Sequence, residues 1–184
     1  GRHVVIVGGA NSAGQAAVFL AAHAAKVTLV VRGPDLERSM SQYLIAQVHS
    51  LDVIEVRTCT RVVRCEGTDH LERVVLQDDA TGEREEVEAS HLFVFIGAAP
   101  LTEWLPDQVQ RDRAGFVLTG DDLTRGGRRP PGWSQQRDPY LLESSVPGVF
   151  VAGDVRSQSV KRVASAVGEG ALAVTLVHRY LEDR

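Results

Sequence analysis

From Val4 to Val7 four apolar residues run without interruption into Gly8, the pattern of a strand buried on both faces of a parallel sheet. The next stretch, from Ser12 to about His23, is alanine-rich, with Ala13, Ala16, Ala17 and Leu20 at helical spacing. It predicts a helix lying close on a flat surface, with Asn11 or Ser12 as its cap. "KVTLVV" (26–31) repeats the buried-strand pattern, and "RGPDLERSMSQYLIAQVHS" reads as a polar turn followed by a second helix. In the order β-α-β-α, a right-handed crossover sets the two strands side by side.

After Leu51 the texture changes. "DVIEVRT", "RVVRCE", "LERVVLQDD" and "REEVEA" alternate apolar and polar residues between turn signals such as "EGTD" and "DDATGE", which predicts a small antiparallel meander inserted into the α/β unit. "HLFVFIGAAP" (91–100) is again a continuous apolar strand, ending in a turn at the sheet edge where open α/β folds bind ligands. From about Ala114, "GFVLT" reads as a short strand, "GDDLTRGGRRPPGWSQQRDPY" as a long loop, "GVFVAGDV" as a buried strand and 160–182 as a long helix. A loop of that length is usually functional or disordered. Val160, Val163, Val167, Ala171 and Val174 form one stripe that gives the final helix a face to bury.

Composition narrows the function. With 184 residues, 43% of them apolar, the chain has enough material for one substantial core or two small ones. A net charge of -4 gives no basic face for nucleic acid, and no apolar run approaches the ~20 residues that span a bilayer. Cys59 and Cys65 lack C-x-x-C spacing and read as packed thiols in a reducing, cytoplasmic compartment. The six histidines form no metal-ligating cluster and read as surface or helix-end residues. A first residue that is Gly1 rather than methionine suggests that something upstream was removed.

The chemistry starts at "GGANSA". A pyrophosphate can approach the backbone at a helix start, where unpaired N–H groups and the helix dipole favour negative charge. Gly8 permits the tight turn, Ala10 adds one methyl where the G-x-G-x-x-G pattern has its second glycine, and Ala13 at the third position allows close helix–strand packing. At the end of the second strand, where an NAD site offers a carboxylate, stands Arg32, followed by Arg38. Forked guanidiniums favour a 2′-phosphate and hence NADP; the alternative is solvated surface charge neutralised by Asp35 and Glu37. Downstream, "VPGVFVAGDV" delivers Asp154, a carboxylate suited to a polyol. Ser157 or Ser159 can cap the last helix, with Lys161 and Arg162 in its first turn. Cations there oppose the helix dipole by about 0.3–1 kcal/mol each, a conflict that an anionic or electron-rich ligand would remove.

Three segments, "VVIVGGANSAGQAAVFLA", "LFVFIGAAPLTEWL" and "SVPGVFVAGDVRSQSVKRVASAVGEGALAV", together resemble the carboxyl-terminal half of thioredoxin reductase-like, FAD-dependent pyridine nucleotide-disulfide oxidoreductases. The resemblance implies an α/β fold: a Rossmann-like NAD(P)H-binding domain with an inserted β-meander at 1–112, then at 113–184 the strand-loop-strand-helix end of a FAD domain. It implies that Gly8, Gly9, Ala10, Asn11, Ser12 and Ala13 hold the NADP pyrophosphate and Arg32 and Arg38 its 2′-phosphate. Ile96 and Gly97 would lie beside the dinucleotide. On the flavin side, Gly153 and Asp154 would contact the FAD ribityl and pyrophosphate region, with Lys161, Arg162, Val163 and Ala164 near the isoalloxazine. Where such proteins usually carry His-Arg-Arg, this chain has Val31, Arg32 and Gly33, a thinner grip on the 2′-phosphate.

The resemblance further implies a dithiol just upstream of Gly1, an earlier FAD motif, a thioredoxin-like or small disulfide substrate, and a homodimer at full length. The expected function is hydride transfer from NADPH to FAD and on to a disulfide. No catalytic acid, base or nucleophile is expected in the chain, and by itself it should show no turnover. The alternatives are an NAD(P)H-sensing or regulatory module, a flavin reductase without disulfide chemistry, and a nucleotide-free α/β domain.

Overall fold

The computed structural model describes residues 2–183. They form two compact units that divide between Gly97 and Ala98. Residues 98–112 therefore pack with the second unit; Arg111, for example, bridges to Val117.

In the first unit β1 (His3–Val7), α1 (Asn11–Ala21), β2 (Lys26–Val30), α2 (Gln42–His49) and β3 (Ile54–Arg57) are followed by β4 (Thr60–Glu66), β5 (Arg73–Asp78), β6 (Arg84–Glu88) and β7 (His91–Val94). Four strands make a parallel sheet in the order β3-β2-β1-β7, and β4-β5-β6 make an antiparallel one. The unbroken apolar run of β1 has its cause in this sandwich. Val4 and Ile6 face α1 and α2, together with Ala13, Ala17, Leu44 and Val48, while Val5 faces the meander with Val74 and Leu76. Fully burying side chains of this size contributes about 1.5–3 kcal/mol each. Alanines bring α1 close to the sheet, and Gly14 brings it close to α2 and the segment before it: a Cβ there would lie 2.7 Å from Leu44 Cδ2 and 2.8 Å from Met40 Cε.

Three local expectations are corrected. "DVIEVRT" supplies β3 to the parallel sheet, with Val27 opposite Ile54, and does not belong to the meander. Its alternating pattern is that of an edge strand covered on one face: Ile54 is buried, while Glu55 pairs with Lys26 (2.7 Å) and Arg57 with Glu85 (2.6 Å). Periodicity alone does not assign a strand to a sheet. His3 lies within β1, its ring 2.8 Å from Thr28 Oγ1, and burial pushes the imidazole below its usual pKa. Cys65 is an exposed thiol on β4, not a packed one, and Cys59 is half-buried.

The second unit has little regular structure beyond α3 (Val163–Glu182). "GFVLT" and "GVFVAGDV" are not strands but extended segments held by single bridges, Val117 to Arg111 and Arg156, and Phe150 to Glu143. The second was expected to be buried, yet Val149 is 38% exposed. A strand is a run of consecutive paired residues; Val117 is buried and bridged on both edges but is the one residue of its segment so paired, and Phe150 is bridged on one edge among the described residues. The valine stripe of α3 also departs from expectation: Val163 is 82% exposed and Val167 67%. Among the described residues nothing covers that face, and none of the helices is long and apolar enough to cross a membrane.

Carboxylates organise this unit in place of a sheet. Glu143 is fully buried and accepts from both Arg137 terminal nitrogens (2.6 and 3.1 Å) and from the N–H groups of Tyr140 and Gly148 (2.9 Å each). The guanidinium stacks 3.7 Å over the Tyr140 ring, and its bonds to Glu143 raise its pKa further. The arginine-rich loop is thus folded around an ion pair. Glu169 on α3 does the same for the Gly153–Val155 turn: it takes the Gly153 N–H at 2.7 Å and Arg156 at 2.5 Å. The Arg156 guanidinium holds the Glu169 carboxyl below the usual glutamate value.

Removing one partner of a buried pair strands the other's charge. Glu143→Ala is expected to cost about 3 kcal/mol, at the low end because Arg137 keeps access to water, read as a lowered urea midpoint by tryptophan fluorescence. Glu169, with its folded pKa depressed, contributes stability that is complete above the ordinary value of 4.5 and is lost as pH falls through the lower folded value. Glu169→Gln should therefore flatten the acid limb of the stability profile below about pH 4.5 and leave its shape near neutrality unchanged.

Candidate functional site

The carboxyl ends of β1, β2 and β7 open into a cleft of about 530 Å³ within the first unit. It is built by close approach. Gly8 has φ +149°, and a Cβ on it would sit 2.5 Å from the Phe95 carbonyl oxygen; one on Gly9 would sit 2.9 Å from Val31 Cγ1. Gly8 donates its N–H to Val30 (3.0 Å) and Phe95 donates its N–H to Val7 (2.7 Å), which closes the three strand ends together. The glycines are needed by the protein's own backbone before any ligand is considered.

Beyond them Ala10 is the N-cap of α1, with no side-chain cap and no acidic residue in the first turn. This corrects the expected cap: Asn11 is the first helical residue, and its carboxamide oxygen accepts the Ser41 N–H at 2.8 Å. An uncapped helix start at the mouth of a cleft leaves donor groups and the positive end of the dipole to an anion.

Arg32 and Arg38 both line the cleft and are exposed, and among the described residues neither joins an ion pair. Asp35 does not neutralise them; its carboxylate accepts the Arg38 backbone N–H at 3.3 Å. Ile96, 67% exposed, and Gly97 close the far side. Gly8, Gly9, Ala10, Arg32, Arg38, Ile96 and Gly97 thus come together around one space. Asn11, Ser12 and Ala13 are not among its lining residues, and Ala13 is fully buried on the packed face of α1. Sequence reasoning passed over Ser39, which lines the cleft and donates to the Gly9 carbonyl at 2.9 Å. A serine just before a helix reads as a cap, and no local pattern points it at residue 9.

In the second unit Gly153 is buried at φ +80°, a left-handed conformation that favours glycine, and Asp154 is exposed beside it. Lys161 folds back, donating to the carbonyl oxygens of Asp154 and Arg156 (the latter 3.2 Å) and to Ser159 Oγ (2.8 Å), with its ammonium 4.0 Å from the Phe116 ring centre. The helix starts at Val163 with Arg162 as N-cap, so Lys161 and Arg162 precede the first turn they were expected to occupy. Carbonyl oxygens around the ammonium relieve much of the anticipated dipole conflict. Neither serine caps the helix: Ser157 donates to Asp112 (2.8 Å) and Ser159 accepts from Lys161. Gly153, Asp154 and Lys161 share one turn; Arg162, Val163 and Ala164 are exposed at the start of α3. Arg156 and Glu169, which hold that turn, had only a weak signal, a carboxylate between two glycines in the first half of the last helix.

A family model described as pyridine nucleotide-disulphide oxidoreductase matches residues 1–170. The chain is 28% identical, over 98% of its length, to the "34.2 kDa protein in rubredoxin operon" of Clostridium pasteurianum, and covers 52% of it. It is 29% identical to the thioredoxin reductase of Treponema pallidum, with 98% of this chain and 52% of that protein covered. Thioredoxin reductase from T. acidophilum superposes with a TM-score of 0.70 at 26% identity, over 100% of this chain and 53% of that one. The chain spans about half the length of the relatives it matches. With a match over nearly all of its residues and the same mixed parallel and antiparallel architecture, the chain belongs to the pyridine nucleotide-disulphide oxidoreductase family and is thioredoxin reductase-like.

Proposed function

We propose that this chain is the NADPH-binding and partial FAD-binding segment of a thioredoxin reductase-type flavoprotein, with the first unit serving the nucleotide and the second the flavin. The observation that carries the reading is the pair of guanidiniums, Arg32 and Arg38, without ion-pair partners among the described residues on a cleft whose other wall is an uncapped helix start. A dinucleotide fits these groups: its pyrophosphate would take the backbone at Gly9 and Ala10, and its 2′-phosphate the two arginines. For the flavin the support is narrower, an exposed Asp154 carboxylate on a turn fixed by Glu169. When bound, the cofactors supply the chemistry, hydride passing from nicotinamide to flavin and electrons onward to a disulfide such as that of a thioredoxin-like protein. The residues of this chain bind and orient; Lys161 holds the turn at Asp154.

The alternative reading is a flavin reductase with an acceptor other than a disulfide. The disulfide route requires a dithiol from outside this chain. NADPH-dependent reduction of a small aromatic disulfide by a full-length parent flavoprotein decides between the two.

Titration of the chain with NADPH and NADH tests the nucleotide reading. NADPH should bind more tightly, and Arg32→Ala or Arg38→Ala should each weaken it about tenfold, as expected for loss of a charged hydrogen bond, with NADH nearly unaffected. Tighter binding of NADH would overturn the role given to the arginines. Ala10→Gly should leave NADPH affinity unchanged or better, because glycine is also the better N-cap. The larger β-branched side chain of Ala10→Val should abolish binding.

A further inference from the structure

We propose that Ser39 is a specificity-determining positioning residue: it latches the Arg38-bearing segment to the glycine turn, so that the 2′-phosphate and pyrophosphate subsites are held in register. The inference rests on the nucleotide reading above and extends it to a residue outside the phosphate-binding set.

Arg32 directly follows Val31, whose N–H is held by Arg57, so the sheet fixes its backbone. Arg38 lies on an excursion between β2 and α2, and something else must place it. Two contacts anchor the excursion from below: Leu36 and Met40 are each only 4% exposed and belong to the core beneath α1. Two more tie it sideways to the βα turn. Ser39 Oγ donates to the Gly9 carbonyl at 2.9 Å, and the Ser41 N–H donates to Asn11 Oδ1 at 2.8 Å. Between them the Asp35 carboxylate accepts the Arg38 N–H at 3.3 Å, which sets the local turn. Arg38 is thus bracketed by bonds on a segment whose neighbour in sequence grips Gly9.

An exposed guanidinium on a free loop must lose conformational entropy to bind a phosphate, and fixing its backbone in advance reduces that loss. NADH has no 2′-phosphate and gains nothing from the placement of Arg38. The latch therefore acts on discrimination between the two nucleotides, more than on nucleotide binding as such.

The test is a double-mutant cycle on the whole chain, with dissociation constants for NADPH, NADH and 2′,5′-ADP. Ser39→Ala should weaken NADPH and 2′,5′-ADP roughly three- to tenfold, the range expected for one hydrogen bond, and NADH by less than about twofold. Ser39→Thr, which keeps the hydroxyl, should bind NADPH within about twofold of the parent chain. In an Arg38→Ala background Ser39→Ala should add less than about twofold, because it acts through Arg38. Equal losses for NADPH and NADH would make Ser39 a mere support of the turn and overturn the proposal. An undiminished effect in the Arg38→Ala background would overturn it too, since the hydroxyl would then touch the ligand directly. A chain that prefers NADPH but is indifferent to Ser39→Ala sinks the latch alone; a chain that does not prefer NADPH sinks the nucleotide reading with it.

Discussion

The ends of β1 and β7 meet so tightly that only a hydrogen fits on Gly8, and the cleft follows from that approach. β1 lies between β2 and β7 in a parallel sheet, so all three strands deliver their carboxyl ends to one edge. There the chain must leave the sheet, and it does so into α1 with no side chain to satisfy the first turn. The same edge receives Arg32 from β2 and Ile96 and Gly97 from β7. Strand order thus places groups from three distant parts of the chain around one space, as expected at the carboxyl edge of an open α/β sheet.

The second unit solves a different problem. Its backbone has few ladder partners, and its polar groups still need satisfaction. Glu143 and Glu169 supply it: Glu143 gathers two backbone N–H groups and Arg137 within the loop rich in glycine, proline and arginine, and Glu169 gathers the Gly153 N–H and Arg156 at the turn. Such networks specify shape more reliably than they add stability. The apolar content goes elsewhere: valines along α3 and at Val149 stay exposed among the described residues.

Much of the first unit was legible because its signals are local. Val4–Val7, the alanine stripe and "KVTLVV" each carry their own periodicity, and elements so marked appear where expected. β3 was misplaced because an alternating run records that one face is covered and not which sheet covers it. In the second unit "GVFVAGDV" reads as buried, yet burial depends on neighbours that local sequence does not contain. The cleft residues at the strand ends were readable from motif and spacing, whereas Ser39, Asp35 and the Glu169–Arg156 pair act across 13 residues or more, or through backbone groups that leave no trace in composition.

By itself the sequence determined, for the first unit, which segments are strand or helix, and that a small-residue turn followed by arginines lies beside a sheet edge. These are consequences of side-chain periodicity and backbone preference, both of which act within a few residues. Only the tertiary structure decided that Gly8 yields to Phe95, that Asn11 serves the start of α2 and not the cap of α1, and that Lys161 folds onto the Asp154 carbonyl. Each depends on which groups come within hydrogen-bond reach once strands pair and loops close, and that distance is a property of the packed chain and not of any stretch within it.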